Sequence, residues 1–218
     1  MGVYTFNVDG QVITVREYPN DNYKDIREWI NRLELSEDLF IVPNNDAEAV
    51  RIQEILSSNK QNFLVTQQQW GASWEGLEDD IKQSLRQFKG KIYGVELKDP
   101  KNEFGGINID HHSYGQDDDR TNNKSAIEQV AELIGYEMSI EDMFISENDK
   151  GYIPAMEKLG IKLHIHNFAL KNMIQKIRSL DRQAQGITEQ QEQQAMEIIK
   201  SINITIYSIY HSTFSKST

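Results

Sequence analysis

The triplet Asp110-His111-His112 sets a carboxylate and two imidazoles directly after a short apolar run, Ile107-Asn108-Ile109. Two other apolar runs end in the same way. Asp46 and Glu48 follow Leu39-Phe40-Ile41-Val42, and Glu96 and Asp99 lie at the end of the run that begins at Ile92. Carboxylate oxygens mixed with imidazole suit manganese, magnesium or iron(II), and two such ions about 3.5–4 Å apart suit phosphoryl chemistry. The chain has no cysteine. Thiolate nucleophiles, disulfides and Cys-ligated zinc or iron–sulfur sites are therefore excluded, leaving His and carboxylates as the strong metal ligands.

The elements that must position these groups follow from apolar periodicity. Tyr4, Phe6 and Val8, the turn pair Asp9-Gly10, and Val12, Ile13 and Val15 predict an N-terminal β-hairpin. Ile26, Trp29, Ile30 and Leu33 predict a helix over 23–33. Thereafter strands and helices alternate. Strand 39–42 precedes a helix over 47–56. Strand 63–65 precedes a helix capped by Ser73 and presenting Trp74, Leu77, Ile81 and Leu85, and strands follow at 92–97 and 107–109. Ser125-x-x-Glu128 is a capping box for a helix whose stripe is Ile127, Val130, Ala131 and Ile134, ending before Gly135. The last third reads as helical, with Thr188-x-x-Gln191 as a weaker capping box, and Ile202, Ile204 and Ile206 predict a terminal strand to Tyr210. This alternation predicts an α/β fold: a mostly parallel sheet flanked by helices, with an N-terminal hairpin and a helical C-terminal part. In such sheets ligands collect beyond the carboxyl ends of the strands, where three successive strand ends here offer carboxylate or imidazole.

The 23 Lys and Arg stand against 34 Asp and Glu, a formal charge of −11, and no basic run interrupts the acidity, which disfavours sequence-blind coating of nucleic acid. With 38% hydrophobic residues the chain can build a core. No apolar stretch approaches a membrane span, and the N-terminus has neither a basic leader nor a myristoylation signal, so the expected setting is the cytoplasm, with no membrane partner. The expected organisation is an α/β domain over 1–153 and a mainly helical extension or subdomain over 154–218.

Asp110-His111-His112 after a short apolar strand resembles the signature of the DHH phosphoesterase superfamily, which includes nucleases, cyclic-dinucleotide phosphodiesterases and manganese pyrophosphatases. In that family the signature is followed by a polar loop, a helix and a further metal-binding Asp. Here the helix over 125–134 is followed by Asp149, 39 positions beyond Asp110. Asn45-Asp46-Ala47-Glu48-Ala49 is similar to the family's first motif, without its His and with Glu48 in place of the second Asp; Glu96 or Asp99 serves for the second. The resemblance covers roughly 39–152 and does not extend to the family's glycine-rich substrate domain. It implies a metal-dependent phosphoesterase, using Mn2+ or Mg2+ as two ions, that hydrolyses a phosphodiester or phosphoanhydride in a nucleotide or short oligonucleotide. Asp46, Glu48, Glu96, Asp110, His112 and Asp149 would hold metal, Asp110, His111 and His112 would form the catalytic triplet, and no protein nucleophile would be needed.

Each of these residues also has a plainer reading. Asp46 is placed to cap a helix, Glu48 to face a helix dipole, and Asp149 to sit in a turn before Gly151. His164-Ile165-His166 has the alternation of two imidazoles on one strand face, but lacks a third ligand and reads as a surface pair. Trp70 and Trp74 either stack a base at a pocket mouth or belong to the core or a partner surface. Asp181-Arg182 offers a phosphate-binding Arg or a charge at a helix end, and Asp117-Asp118-Asp119 a solvated loop. The functional alternative is a non-catalytic or partner-dependent subunit built on a reduced DHH-like domain. A homo-oligomer or protein partner is expected, with Tyr207, Ile209 and Tyr210 as the contact edge.

Overall fold

The computed structural model describes residues 2–8, 11–17, 38–98, 103–112, 123–188, 190, 191, 193–195 and 197–200, with backbone alone for the first two segments. The expected turn at Asp9-Gly10, the helix over 23–33, Asp99, Asp117–Asp119 and the terminal strand with Tyr207, Ile209 and Tyr210 lie outside the described residues. Six strands, β1 (Gly2–Val8), β2 (Gln11–Glu17), β3 (Asp38–Val42), β4 (Asn62–Val65), β5 (Lys91–Val95) and β6 (Ile107–Ile109), form one sheet in the order β1-β2-β4-β3-β5-β6. β1 and β2 pair as an antiparallel hairpin in the register Gly2↔Glu17 to Val8↔Gln11, and β2 joins β4 antiparallel. β4, β3, β5 and β6 are mutually parallel. The fold is the α/β arrangement expected.

β3 is a continuous apolar run because both faces of it are covered. Phe40 and Val42 point to one side, where they meet Ile52 and Ile55 of α1 (Ala47–Ser58) and Ile127 and Val130 of α3 (Ala126–Ile134). Phe144 and Met156 of α4 (Ile140–Lys162) and Leu170, Ile174 and Ile177 of α5 (Asn167–Ala184) complete that cluster. The expected division between 153 and 154 falls beside the break at Gly151 and Tyr152, where two helical segments of α4 meet, and side chains from both sides of it contribute to this apolar cluster. Leu39 and Ile41 point to the other side, toward Trp74, Leu77, Ile81 and Leu85.

On that side the helix expected from Ser73 begins only at Asp79, as α2 (Asp79–Leu85). Residues 73–78 are instead held as a loop against the sheet, where the Trp74 N–H donates to Lys98 O at 3.3 Å and the indole N–H to Asn108 Oδ1 at 2.6 Å. Trp74 is thus a core residue, 1% exposed, which excludes it from base stacking. A β-carbon on Gly94 or on Gly106 would sit 2.3 Å from its ring, so both positions leave room for the indole. His164 and His166 likewise do not lie on a strand. His164 has φ 55 in the turn between α4 and α5, and His166 is the N-cap of α5, its Nδ1 accepting from the Phe168 N–H.

α4 is tied to α1 by an ion pair whose carboxylate is buried. Asp142, with no exposed side-chain surface, meets Arg51 Nε at 2.6 Å and accepts from Tyr136 Oη at 3.0 Å and Ser139 Oγ at 2.7 Å. Burial works against the carboxylate, but these bonds outweigh it and hold its pKa below the usual range. Replacing Asp142 by alanine should lower stability by about 2 kcal/mol, because Tyr136, Ser139 and Arg51 lose a charged acceptor while Arg51 keeps its pair with Glu54. Equilibrium urea unfolding of the two proteins at neutral pH measures this. In the parent the contribution is full above the ordinary aspartate pKa and disappears as pH falls through the lowered native value.

Candidate metal centre and cavity

The strand order places β3 between β4 and β5, so the chain leaves β3 in one direction and returns on its other side. Crevices form at such switch points, beyond the carboxyl ends of the strands. The loop after β3 ends in Asp46, the N-cap of α1, whose Oδ1 accepts from the Ala49 N–H at 2.8 Å. Its capping role and its place at the crevice are compatible, because one carboxylate does both. Glu48, 2% exposed in the first turn, does not serve its own helix end alone: its Oε1 accepts from the Ile127 N–H of α3 at 3.0 Å. Glu96 follows β5 with φ 50, a left-handed conformation costly for a side chain with a β-carbon. Its N–H donates to Ile109 O at 2.8 Å, so Glu96 and Asp110 leave the sheet side by side.

The histidines divide their work. His111 is 2% exposed, with Nε2 in close contact with Asp149 Oδ2 and 3.4 Å from Glu96 Oε1. His112 Nδ1 lies 2.8 Å from Asp110 Oδ1, and the same oxygen accepts from the His112 N–H at 2.8 Å. Asp110 thereby orients His112. Two sets of ligand atoms converge to within 4.8 Å of one another, Glu96 with His111 and His112, and Glu48 with Glu96, His111 and Asp149. Asp46 and Asp110 are not in these sets. Asp149 is not in a turn but in α4, just before the non-helical pair Gly151 and Tyr152. Glu147 and Glu128 hold the intervening Lys150 at 2.8 and 3.1 Å and fix that segment against α3.

The cluster is buried and strongly acidic. Burial first, then the charges of Glu96, Asp149 and Asp181, pushes Asp46 up to about 8. Burial and the same kind of crowding raise Glu48 and Glu96. Burial alone would lower His111, but the close Asp149 and Glu96 carboxylates prevail and raise it to about 9, so at neutral pH it carries a proton among carboxylates. Glu48 Oε2, Glu96 Oε1, His111 Nε2 and Asp149 Oδ2 are buried atoms without a well-formed hydrogen bond. Convergent, under-satisfied oxygen and imidazole donors fit a divalent cation, which would offset the charge they concentrate. This Glu/His/Asp cluster could hold a metal ion.

A cavity of about 300 Å³ opens onto the cluster, bordered by Asp46, Glu96, His112 and Asp149. Several of its walls were not legible as site residues. Asn45 and Lys98 come from loops after β3 and β5, Asn148 and Tyr152 from α4, Asp181 from α5 and Gln185 from its C-cap. In the pair Asp181-Arg182 it is Asp181 that reaches the site, 4% exposed, with Oδ1 3.4 Å from the Ala47 N–H. Arg178, one turn earlier, bonds Asp181 Oδ2 at 2.7 Å and Asn148 Oδ1 at 3.1 Å. The i, i+3 spacing of Arg178 and Asp181 was the available signal. Trp70, unlike Trp74, is 72% exposed and lines the cavity mouth.

No protein-family model, curated protein or solved structure matches the chain. Among the described residues no helix is long and apolar enough to cross a membrane.

Proposed function

We propose that the chain is a metal-dependent phosphohydrolase that cleaves a phosphodiester or phosphoanhydride in a nucleotide or short oligonucleotide, with a pair of Mn2+ or Mg2+ ions. The observation that carries this reading is the convergence of Glu48, Glu96, His111 and Asp149 at the carboxyl edge of a parallel sheet, beside a cavity. Its agreement with the DHH-like spacing of Asp110-His111-His112 and Asp149 adds support. Glu48, Glu96, His111 and Asp149 would hold the ions, with His112 as a further donor beside Glu96 and His111. When bound, such ions acidify water and offset negative charge on phosphoryl oxygens. The chain's own residues supply the rest. Asp110 fixes the His112 ring, Glu48 is anchored by α3, and the Arg178–Asp181 pair steadies the segments carrying Asp46 and Asp149. Lys98, at the cavity edge, is suited to a substrate oxygen.

The test is elemental analysis of the purified protein, combined with hydrolysis of bis(4-nitrophenyl) phosphate before and after chelation. We expect one to two divalent ions per chain and hydrolysis that chelation abolishes and Mn2+ restores. A protein that binds no divalent ion and hydrolyses nothing would instead be the non-catalytic, partner-dependent subunit.

A further inference from the structure

We infer that Tyr152, held by a strained break in α4, is the specificity-determining residue of the cavity, and that it closes with Trp70 on a planar aromatic ring of the substrate. This rests on the reading of the cavity as a phosphohydrolase site.

The backbone is the first observation. Gly151 has φ −167 and ψ 23, and Tyr152 has φ 54 and ψ −145, a region that glycine enters freely and a residue with a β-carbon enters only at a cost. A helix break needs no large side chain, so a tyrosine here is unfavourable to the fold unless its ring has a use. The ring is the second observation. It is 55% exposed and lines the cavity three residues beyond Asp149. The Arg178 guanidinium stands 5.4 Å from the ring centroid and is itself tied to Asn148 and Asp181, so the ring is braced.

Trp70 is the third observation. It borders the same cavity from the loop after β4 and is 72% exposed. That loop is pinned by Gln68, whose Nε2 donates to Thr66 Oγ1 and to Ser73 O, each at 3.1 Å, and whose Oε1 accepts from the Ser73 N–H at 3.0 Å. The indole is therefore presented by an ordered loop. An acidic, metal-fitting floor and an aromatic mouth across about 300 Å³ match one small molecule with a phosphoryl group at one end and a flat ring at the other. A nucleobase and a simple aryl group share that chemistry.

Binding to the full-length, Mn2+-loaded protein is measured by calorimetry for adenosine 5′-monophosphate, phenyl phosphate and ribose 5-phosphate, in the parent, Tyr152→Gly, Tyr152→Phe and Trp70→Ala. We expect the parent to prefer adenosine monophosphate to ribose 5-phosphate by about tenfold or more, the scale of one ring stacked on an aromatic side chain. Tyr152→Gly and Trp70→Ala should each erase most of that preference while leaving ribose 5-phosphate and Mn2+ affinities within about twofold; Tyr152→Phe should retain it. Thermal unfolding of Tyr152→Gly should occur at or above the parent temperature, because the strain is relieved. Phenyl phosphate binding as tightly as adenosine monophosphate assigns the mouth to aryl rings in general, and weaker binding assigns it to nucleobases. Equal affinity for ribose 5-phosphate and adenosine monophosphate, no binding of either ring-bearing ligand, or equal losses for all ligands in Tyr152→Gly would overturn the inference. Ring preference without hydrolysis would sink the phosphohydrolase reading alone, and hydrolysis without ring preference would sink this one alone.

Discussion

Replacing His111 with alanine should cost more than Asp110→Ala, although Asp110 opens the motif. His111 belongs to both converging ligand sets, so its loss removes a donor from each. Asp110 acts on His112 through one oxygen that meets both Nδ1 and the backbone N–H. Loss of a partner that orients a ligand costs about 10–100-fold in metal affinity or activity. A shared direct ligand should exceed that range, so His111→Ala should lose more than about a hundredfold in both. Mn2+ titration and hydrolysis rates for the two variants decide the order, with circular dichroism showing that each is folded. Full activity of His111→Ala in Mn2+ would remove His111 from the centre, and a larger loss in Asp110→Ala would make Asp110 the primary ligand.

The second large effect is an inverted pH dependence. In the metal-free protein His111 is raised from the ordinary 6.5 to about 9, so between these values the folded state holds a proton that the unfolded chain releases. Asp46, raised from 3.8 to about 8, does the same over its own interval. Both groups give the folded state more bound protons, so stability falls as pH rises through the window they share, from 6.5 to 8. His111 alone extends the loss to about 9. A divalent ion held by His111 needs its imidazole deprotonated and releases that proton on binding, so the ion's stabilising effect grows over the same window. Melting temperatures at pH 6, 7.5 and 9 should therefore fall in chelator, and the gap between the chelator and Mn2+ curves should widen. Parallel curves would show that the buried carboxylates and His111 are not coupled to a metal.

Where a side chain's role is set by its near neighbours, it could be read from sequence. Ser125, Glu128 and Gly135 delimit α3 by local chemistry, and the cap and the left-handed glycine lie where their spacing puts them. Asp46 and Glu48 follow a buried strand, and the crevice is where such residues go. The stretch from Ser73 misled because Trp74, Leu77 and Ile81 repeat at helical spacing, while tertiary bonds from Trp74 to Lys98 and Asn108 hold its start as a loop. Asp181 reaches the site only because α5 packs across α1, and the i, i+3 spacing that pairs it with Arg178 says nothing of where α5 docks. Tyr152 was hidden for another reason: its position depends on a backbone conformation that its residue type argues against.

The contact between the Ala47 N–H and Asp181 Oδ1 spans 134 positions of chain. During synthesis from the N-terminus, strands β3 to β6 and their acidic loops leave the ribosome well before α5 exists. Contacts this distant in sequence form late, after the chain entropy between their ends has been overcome. The nascent chain therefore carries its acidic cluster for some time with one wall of the cavity missing, and the pocket acquires its final shape only when α5 docks. Enclosure of the cluster depends on α5, so a product terminated before Asn167 would expose these carboxylates without that wall.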